Sequence, residues 1–186
     1  MRRSLFPLLA MVILAATACG GDSKPQPAAT PTSALEPTAT PPPGASATPT
    51  VERPPGLAMP DPALTPGDVF PVGAAEICVR GYAGRVRDVH DSVKNQVYAE
   101  YHIASHKPGE YEVDHLISLE LGGSNDIKNL WPQPAEPRPG FHEKDRLEDA
   151  LHDLVCAGKL DLTVAQHDIA TDWYAAYLRY VVGQGN

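Results

Sequence analysis

The sequence predicts a small α+β domain that runs from Val69 to the C-terminal end of the 186-residue chain. Three observations support this class. A strand–turn–strand pattern occupies residues 111–132, two helical patterns follow it, and the Pro-rich stretch before the domain is almost free of large apolar residues. A domain of this length buries one modest hydrophobic core.

Residues 1–18 have the pattern of an export signal. Two arginines precede the apolar run LFPLLAMVILAATA, which is too short and wrongly flanked for a membrane span. Cys19 follows the small residues of this run and precedes two glycines, which resembles the lipobox of bacterial lipoproteins, although Ala16 stands where Leu is usual. The resemblance implies a lipid on Cys19 that anchors the chain to the membrane outside the cytoplasm. Secretion without a lipid is the alternative.

Residues 19–68 are predicted to form a disordered stalk. Thirteen of the 20 Pro lie between Lys24 and Pro66, and most of the other residues there are Thr, Ala and Ser. Such a composition buries too little apolar surface to offset the entropy of ordering. Its Pro content makes it stiffer than a Gly/Ser tether.

The first half of the domain mixes short elements with turns. PVGAAEICVRGYAGRVRDV is interpreted as short β-like pieces separated by Gly turns, and the spacing in HDSVKNQVYAEYHI predicts a short helix. The apolar and β-branched residues of YEVDHLISLEL predict a strand. GGSN then predicts a turn, and IKNLWP a returning strand that ends at Pro132.

Two longer helices are predicted after the loop QPAEPRPG, whose prolines exclude a helix. The first helix begins at Phe141 and ends at Gly158. The second runs from Leu162 to Tyr180. Both carry apolar residues three or four positions apart, which is the spacing of a helix face packed on a core.

The cysteines are consistent with export. If Cys19 carries a lipid, Cys78 and Cys156 remain, and an even pair in an oxidising compartment predicts a disulfide. Two buried free thiols are the alternative.

The charge of the chain limits how it can bind nucleic acid. The net charge is −8, and from Val69 onward 11 basic side chains face 18 acidic ones. Binding to phosphate depends on Lys and Arg, so any such surface must be local. Arg80, Arg85 and Arg87, with Lys94 nearby, are the candidate substrate-binding residues. A solvated charged face is the plainer interpretation of the same four.

One constellation suggests a chemistry. Asp114-His115 on the first strand, the Gly-Gly turn, Asn129 on the second strand and a helix beginning near Phe141 follow one another in a set order. This order resembles the HNH or ββα-metal nucleases over residues 111–153. The resemblance implies a small ββα-metal core with additional helices.

The resemblance also implies roles for four residues. His115 would be the general base that takes a proton from the attacking water, and Asp114 would bind a divalent metal. Asn129 would orient the imidazole, and His142 in the first helical turn would complete the metal site. Asp145 or another acidic or His residue of the same helix is an alternative ligand.

These residue types suit the hydrolysis of a phosphodiester. A phosphodiester is anionic, so its hydrolysis needs an activated water and positive charge near the scissile oxygens. Imidazole titrates near neutral pH, and a carboxylate ligand fits Mg²⁺ or Mn²⁺, while a His ligand admits Zn²⁺ or Ni²⁺. Neighbouring residues of a strand point to opposite faces, so Asp114 and His115 share a site only where the strand is irregular.

The sequence therefore predicts a monomeric, metal-dependent endonuclease that hydrolyses DNA, with RNA as a further substrate, outside the cytoplasmic membrane. The alternative is a non-catalytic cell-surface domain that keeps the ββα frame and binds a partner. The acidic surface favours this alternative.

Overall fold

The structure is a computed structural model that describes residues 51–183. The predicted signal peptide, Cys19 and most of the predicted stalk lie outside these residues. The described part combines helices with one small antiparallel sheet, which is compatible with the predicted α+β class. Its elements are α1 (Ala74–Ile77), α2 (Tyr82–Val86), α3 (Asp91–Glu100), β1 (Tyr111–His115), β2 (Leu130–Pro134), α4 (Phe141–Cys156), α5 (Leu162–Tyr177) and a closing π-helical segment (Leu178–Val182).

The two strands pair antiparallel, with Asp114 opposite Trp131. β2 continues past Pro132 to Pro134, so the predicted end of this strand at Pro132 is wrong. Pro132 lies opposite Val113, at a pair whose neighbours on either side supply the inter-strand hydrogen bonds. The missing N–H of Pro132 therefore costs the ladder nothing.

The connection between the strands is longer than the predicted four-residue turn. β1 ends at His115, and the chain then forms two 3-10 turns, Leu119–Leu121 and Ile127–Asn129. A Cβ added at Gly123 would lie 1.8 Å from the carbonyl oxygen of Ile117. Only glycine fits at this position, which explains half of the Gly-Gly signal in the sequence.

The segment before α3 differs from its prediction. It was expected to hold short β-like pieces, and it forms the two short helices α1 and α2 instead. The side chain of Glu76 accepts a hydrogen bond from the N–H of Gly73 at 2.7 Å and so caps α1. Gly81, with φ at +78°, separates the two helices. Helices of four or five residues have too little periodicity to be recognised from the sequence.

The later helices agree with their predictions and form the core. α3, α4 and α5 begin close to the expected residues. Among the described residues no helix is both long and apolar enough to cross a membrane. The core joins apolar side chains from α4, α5, β2 and the strand connection. They include Leu116, Leu121, Trp131, Leu147, Leu151, Val155, Ile169 and Trp173.

The predicted disulfide is confirmed. Cys78 and Cys156 are bonded, with their Cα atoms 5.6 Å apart and 78 positions of sequence between them. The bond joins the end of α1 to the end of α4. A cross-link over a loop of this length restricts the unfolded chain and stabilises the fold by about 4 kcal/mol in the chain-entropy model.

The folded unit starts before the expected boundary at Val69. Thr65 is 1% exposed, and its hydroxyl donates to the carbonyl oxygen of Leu130 at 2.9 Å. Trp173 donates from Nε1 to the carbonyl oxygen of Ala58 at 3.3 Å. The last part of the predicted stalk therefore packs against the domain. The composition of this segment does not reveal these contacts, because both hydrogen bonds end on backbone carbonyl oxygens.

Candidate functional site at the end of β1

The candidate site is centred on the dipeptide Asp114-His115, where β1 ends. Asp114 is 9% exposed and His115 is 2% exposed. The Oδ1 atom of Asp114 accepts a hydrogen bond from the backbone N–H of His115 at 2.8 Å. This hydrogen bond fixes the backbone from which both side chains project.

Lys144 of α4 lies against this dipeptide and was not assigned a role from the sequence. Its side chain is fully buried. The Nζ atom donates to Oδ2 of Asp114 at 2.7 Å, to the carbonyl oxygen of His115 at 2.7 Å, and to Oε1 of Glu148. An ammonium has three protons, so all of them are used. We refer to Lys144, Asp114 and Glu148 as the lysine cluster.

The lysine cluster keeps a positive charge beside Asp114. Burial lowers the pKa of Lys144, but the carboxylates of Asp114 and Glu148 outweigh burial, and the net effect raises it. Burial raises the pKa of Glu148 to about 8, with Lys144 opposing that rise and Asp114 adding to it. Asp114 and Glu148 therefore share one buried ammonium that stays protonated at neutral pH, and the raised pKa leaves Glu148 itself mostly protonated there.

The imidazole of His115 is held by Asn125, in the turn between the strands. The Nδ2 atom of Asn125 donates to the carbonyl oxygen of Val86 at 2.7 Å, and its Oδ1 accepts from the N–H of Asp88 at 3.2 Å. These contacts identify Oδ1 as the atom 3.1 Å from Nε2 of His115. We therefore assign the proton to Nε2, which leaves Nδ1 as the basic nitrogen.

The charge state of His115 follows from its surroundings. Burial lowers the pKa of His115 below its ordinary value, and the positive charges of Arg87 and Lys144 act in the same direction. Asn125 and Asp114 oppose this shift without reversing it. The ring is therefore neutral near pH 7, which is the state a general base requires.

Asn129 has a different partner from the one the sequence predicts. Its fully buried amide accepts from the N–H of Ile117 at 2.9 Å and donates to the carbonyl oxygens of Ile117 and Ser124 at 3.0 and 2.9 Å. Asn129 therefore fixes the connection between the strands. Since its amide is committed to the backbone, the contact with the His115 ring comes from Asn125 instead.

His142 lies on the first turn of α4, as predicted, but it is exposed. Its ring centroid is 4.3 Å from that of Phe141. Burial raises the pKa of Asp145 and Asp114 adds to this rise, while Lys144 and His142 oppose it without reversing it. His142 therefore neighbours Asp145, the alternative ligand, on the solvent side of the lysine cluster.

The predicted basic residues separate into two groups. Arg87 and Lys94 line a cavity of 310 Å³ together with Tyr98, Tyr111 and Glu112, and we call it the arginine cavity.

Glu112 lines the same cavity. It is exposed as a residue, but partial burial of its carboxylate raises its pKa. Asp114 and Asp145 act in the same direction, while Arg87 and Lys144 oppose them.

The second group of predicted basic residues is Arg80 and Arg85, and neither of them lines the cavity. The guanidinium of Arg85 donates to the carbonyl oxygen of Arg80 at 2.9 Å.

A divalent ion held by Asp114 and His142 stays a prediction from the resemblance. In the part of the chain that the structure describes, only one group of three or more His, Cys, Asp or Glu brings its ligand atoms within 4.8 Å of one another, and neither residue belongs to it. The Oδ2 atom of Asp114 carries the ammonium of Lys144. A hard cation prefers carboxylate and carbonyl oxygens, and the oxygens that meet beside Asp114 already bind this ammonium.

The group that could hold a metal ion is Cys78, His152 and Cys156. His152 and Cys156 are four positions apart on α4, and the Nε2 of His152 lies 3.4 Å from the sulfur of Cys156. Thiolate and imidazole ligands favour zinc over magnesium. In this structure the two sulfurs are joined in the disulfide, so the cluster serves the fold rather than the site at His115.

The chain matches no protein-family model, and comparisons with curated proteins and with solved structures likewise find no significant match. The resemblance to HNH nucleases therefore stays a prediction from the motif.

Proposed function

We propose that this chain is a phosphodiester hydrolase, an endonuclease acting on DNA with RNA as a further substrate. The observation that carries the proposal is the contact between Nε2 of the buried His115 ring and Oδ1 of Asn125, at 3.1 Å. From this contact we infer that the proton lies on Nε2 and that Nδ1 is able to accept one. This is the arrangement of a general base.

In the proposed reaction, Nδ1 of His115 takes a proton from a water molecule while the water oxygen bonds to phosphorus. The bond from phosphorus to the leaving sugar oxygen breaks, and that oxygen takes a proton from solvent. The backbone carbonyl of His115 is fixed by Lys144, so the base has little freedom to move away from the phosphate.

The arginine cavity supports the same proposal. Phosphate carries negative charge that grows at the leaving oxygen, and Arg87 and Lys94 bring two positive charges to one cavity. Arg87 is also close enough to His115 to lower its pKa, so the base and the phosphate-binding charge are near each other.

The Mg²⁺ or Mn²⁺ requirement implied by the resemblance stays a prediction. Because the Oδ2 atom of Asp114 binds the ammonium of Lys144, no step of the proposed reaction is routed through a metal ion. The location outside the cytoplasmic membrane, a lipid anchor at Cys19 and a monomeric state are also part of the proposal. The disulfide between Cys78 and Cys156 supports the oxidising compartment.

A second function is favoured by a different observation. His115 is only 2% exposed and Asp114 is neutralised internally by Lys144. A surface domain that keeps the ββα frame without catalysis, and binds a partner, requires no more than this.

One assay separates the two functions. Purified protein is incubated with supercoiled plasmid in Mg²⁺, Mn²⁺, Zn²⁺, Ni²⁺ or EDTA, and nicked and linear products are quantified. The variant His115→Ala should lose at least ~10²-fold in rate, since general-base catalysis contributes about that much. The matched control is His167→Ala, because His167 is exposed and its side chain contacts only Asp168 among the described residues.

If the wild type and His115→Ala are equally inactive in every condition, the hydrolase proposal fails and the binding domain stands. If both variants lose activity equally, the effect does not belong to His115, and the proposed base is wrong.

A further inference from the structure

The lysine cluster differs from a metal site at the atom where the resemblance would put the metal. Asp114 is the residue that the resemblance assigns to a divalent ion. Its Oδ2 atom accepts instead from the Nζ of Lys144, at 2.7 Å. The same ammonium binds an oxygen of Glu148 and the carbonyl oxygen of His115.

Three oxygens from two parts of the chain thus surround one cation that belongs to the protein. They come from the β1 carboxylate, the β1 backbone and a carboxylate one turn further along α4. A hard metal ion would ask for the same kind of donors, namely carboxylate and carbonyl oxygens. The ammonium uses all its protons, and the side chain is completely buried.

We propose that Lys144 takes the place of a divalent cation at Asp114, as a positioning residue that holds His115 through its backbone carbonyl. The catalytic consequence rests on the proposed function, because an internal cation allows phosphodiester hydrolysis without a metal at Asp114. The structural consequence does not. Asp114 and Glu148 have their cation permanently, whether or not the protein is an enzyme.

The first test measures Mn²⁺ binding to the full-length chain by electron paramagnetic resonance, together with thermal melting in EDTA and in millimolar Mn²⁺. For the wild type we expect no change in Tm between the two conditions. We also expect the same number of bound Mn²⁺ in the wild type and in Asp114→Asn. Loss of one tightly bound Mn²⁺ in Asp114→Asn would overturn the proposal.

The second test removes the internal cation. Lys144→Met should lower Tm by roughly 10 °C, because a buried ion pair that loses one partner leaves carboxylates uncompensated. Mn²⁺ should then raise Tm, by entering between Asp114 and Glu148, and Asp114→Asn in the same background should abolish that rise. The control is Lys159→Ala, an exposed lysine just after α4, whose melting should match the wild type.

If Lys144→Met does not fold, Lys144→Met combined with Glu148→Gln removes the cation and one carboxylate together. That variant should fold, and one Mn²⁺ should bind at Asp114. Failure of Mn²⁺ to stabilise any folded variant that lacks Lys144 contradicts the proposal, because the site would then not suit a cation.

A third measurement gives a readout that a purely structural lysine would not move. Burial is the main cause that lowers the pKa of His115, and the positive charge of Lys144 adds to it. In the folded variant without Lys144, an NMR titration should therefore show the pKa of His115 rising, while Lys159→Ala leaves it unchanged. An unchanged value would show that the ammonium does not act on the imidazole.

The activity assay keeps this proposal distinct from the proposed function. Plasmid cleavage by the wild type in EDTA supports both. If cleavage occurs only with a metal, and Asp114→Asn loses a Mn²⁺ site, the internal-cation proposal is contradicted and the nuclease proposal is supported. If no condition gives cleavage and the Mn²⁺ results are as expected, the nuclease proposal is contradicted and the internal-cation proposal is supported.

Discussion

The lysine cluster and the arginine cavity both include residues of β1, and they treat charge in opposite ways. In the lysine cluster every ammonium proton of Lys144 has a protein acceptor and the side chain is fully buried. In the arginine cavity, Arg87 faces an open space of 310 Å³ beside Glu112, together with Lys94, whose Nζ also donates to the exposed Asp91 at 3.2 Å. Charge that is satisfied within the protein fixes geometry, whereas charge left facing a cavity is able to meet a ligand.

The largest expected effect concerns the frame that carries both regions. Asn129→Ala removes an amide that makes three hydrogen bonds to Ile117 and Ser124 from a fully buried position. We expect the free energy of unfolding to fall by about 3 kcal/mol, because the backbone groups lose their partners inside the fold. Urea denaturation followed by circular dichroism measures it. Asn95→Ala, at an exposed position of α3, should change it by less than ~0.5 kcal/mol. A loss no larger than that of the control would show that Asn129 does not fix the connection.

The next effect tests the arginine cavity. Arg87→Ala should lower kcat/KM for plasmid cleavage by about 10²-fold, because it removes a positive charge close to the phosphate. Arg80→Ala is the matched control, since Arg80 lies outside the cavity. Initial rates at several ionic strengths measure the effect. Equal losses in the two variants would indicate general attraction to DNA instead of a defined phosphate position.

A third effect tests the lysine cluster through pH. The folded-state pKa of Glu148, about 8, lies above the ordinary value of 4.5. The associated stabilisation is therefore fully present below about pH 4.5 and is lost as the pH rises through about 8. Wild-type stability should therefore fall over this range relative to Glu148→Gln, which has no proton to lose. Denaturation at a series of pH values measures this difference, with exposed Glu52→Gln as the control. Parallel curves for the wild type and Glu148→Gln would contradict the burial of this carboxylate.

The smallest effect concerns the contact between the turn and the imidazole. Asn125→Ala removes the acceptor of the Nε2 proton but leaves His115 in place. We expect a cleavage rate about 10-fold lower, because second-shell partners of an imidazole typically contribute at that level. The free energy of unfolding should change far less than in Asn129→Ala, since Asn125 is only partly buried. A rate equal to the wild type would mean that Asn125 does not set the tautomer.

The sequence was sufficient for features that depend on local pattern. Apolar spacing identified α4 and α5, the Gly-Gly signal located the connection between the strands, and the even pair of cysteines predicted the bond between Cys78 and Cys156. Each of these is encoded by residues close together in sequence or by a count. The short helices α1 and α2 were missed, because four or five residues carry too little periodicity to distinguish them from turns.

The candidate site was predicted in outline and missed in its contacts. Asp114 and His115 were singled out, but Lys144 was not, since a lysine is rarely buried and its partner Asp114 is 30 positions away. Asn125 and Asn129 are both amides in the same connection. No sequence pattern shows which of them reaches the imidazole, because that depends on how the connection folds.

The most direct test is the state of His115 itself. NMR with ¹⁵N-labelled imidazole gives both the protonated nitrogen and the pKa of this ring. We predict a neutral ring at pH 7 with its proton on Nε2 and a pKa below the ordinary value. A proton on Nδ1, or a pKa above the ordinary value, would contradict the account, because the nitrogen left to accept a proton from water would then be missing.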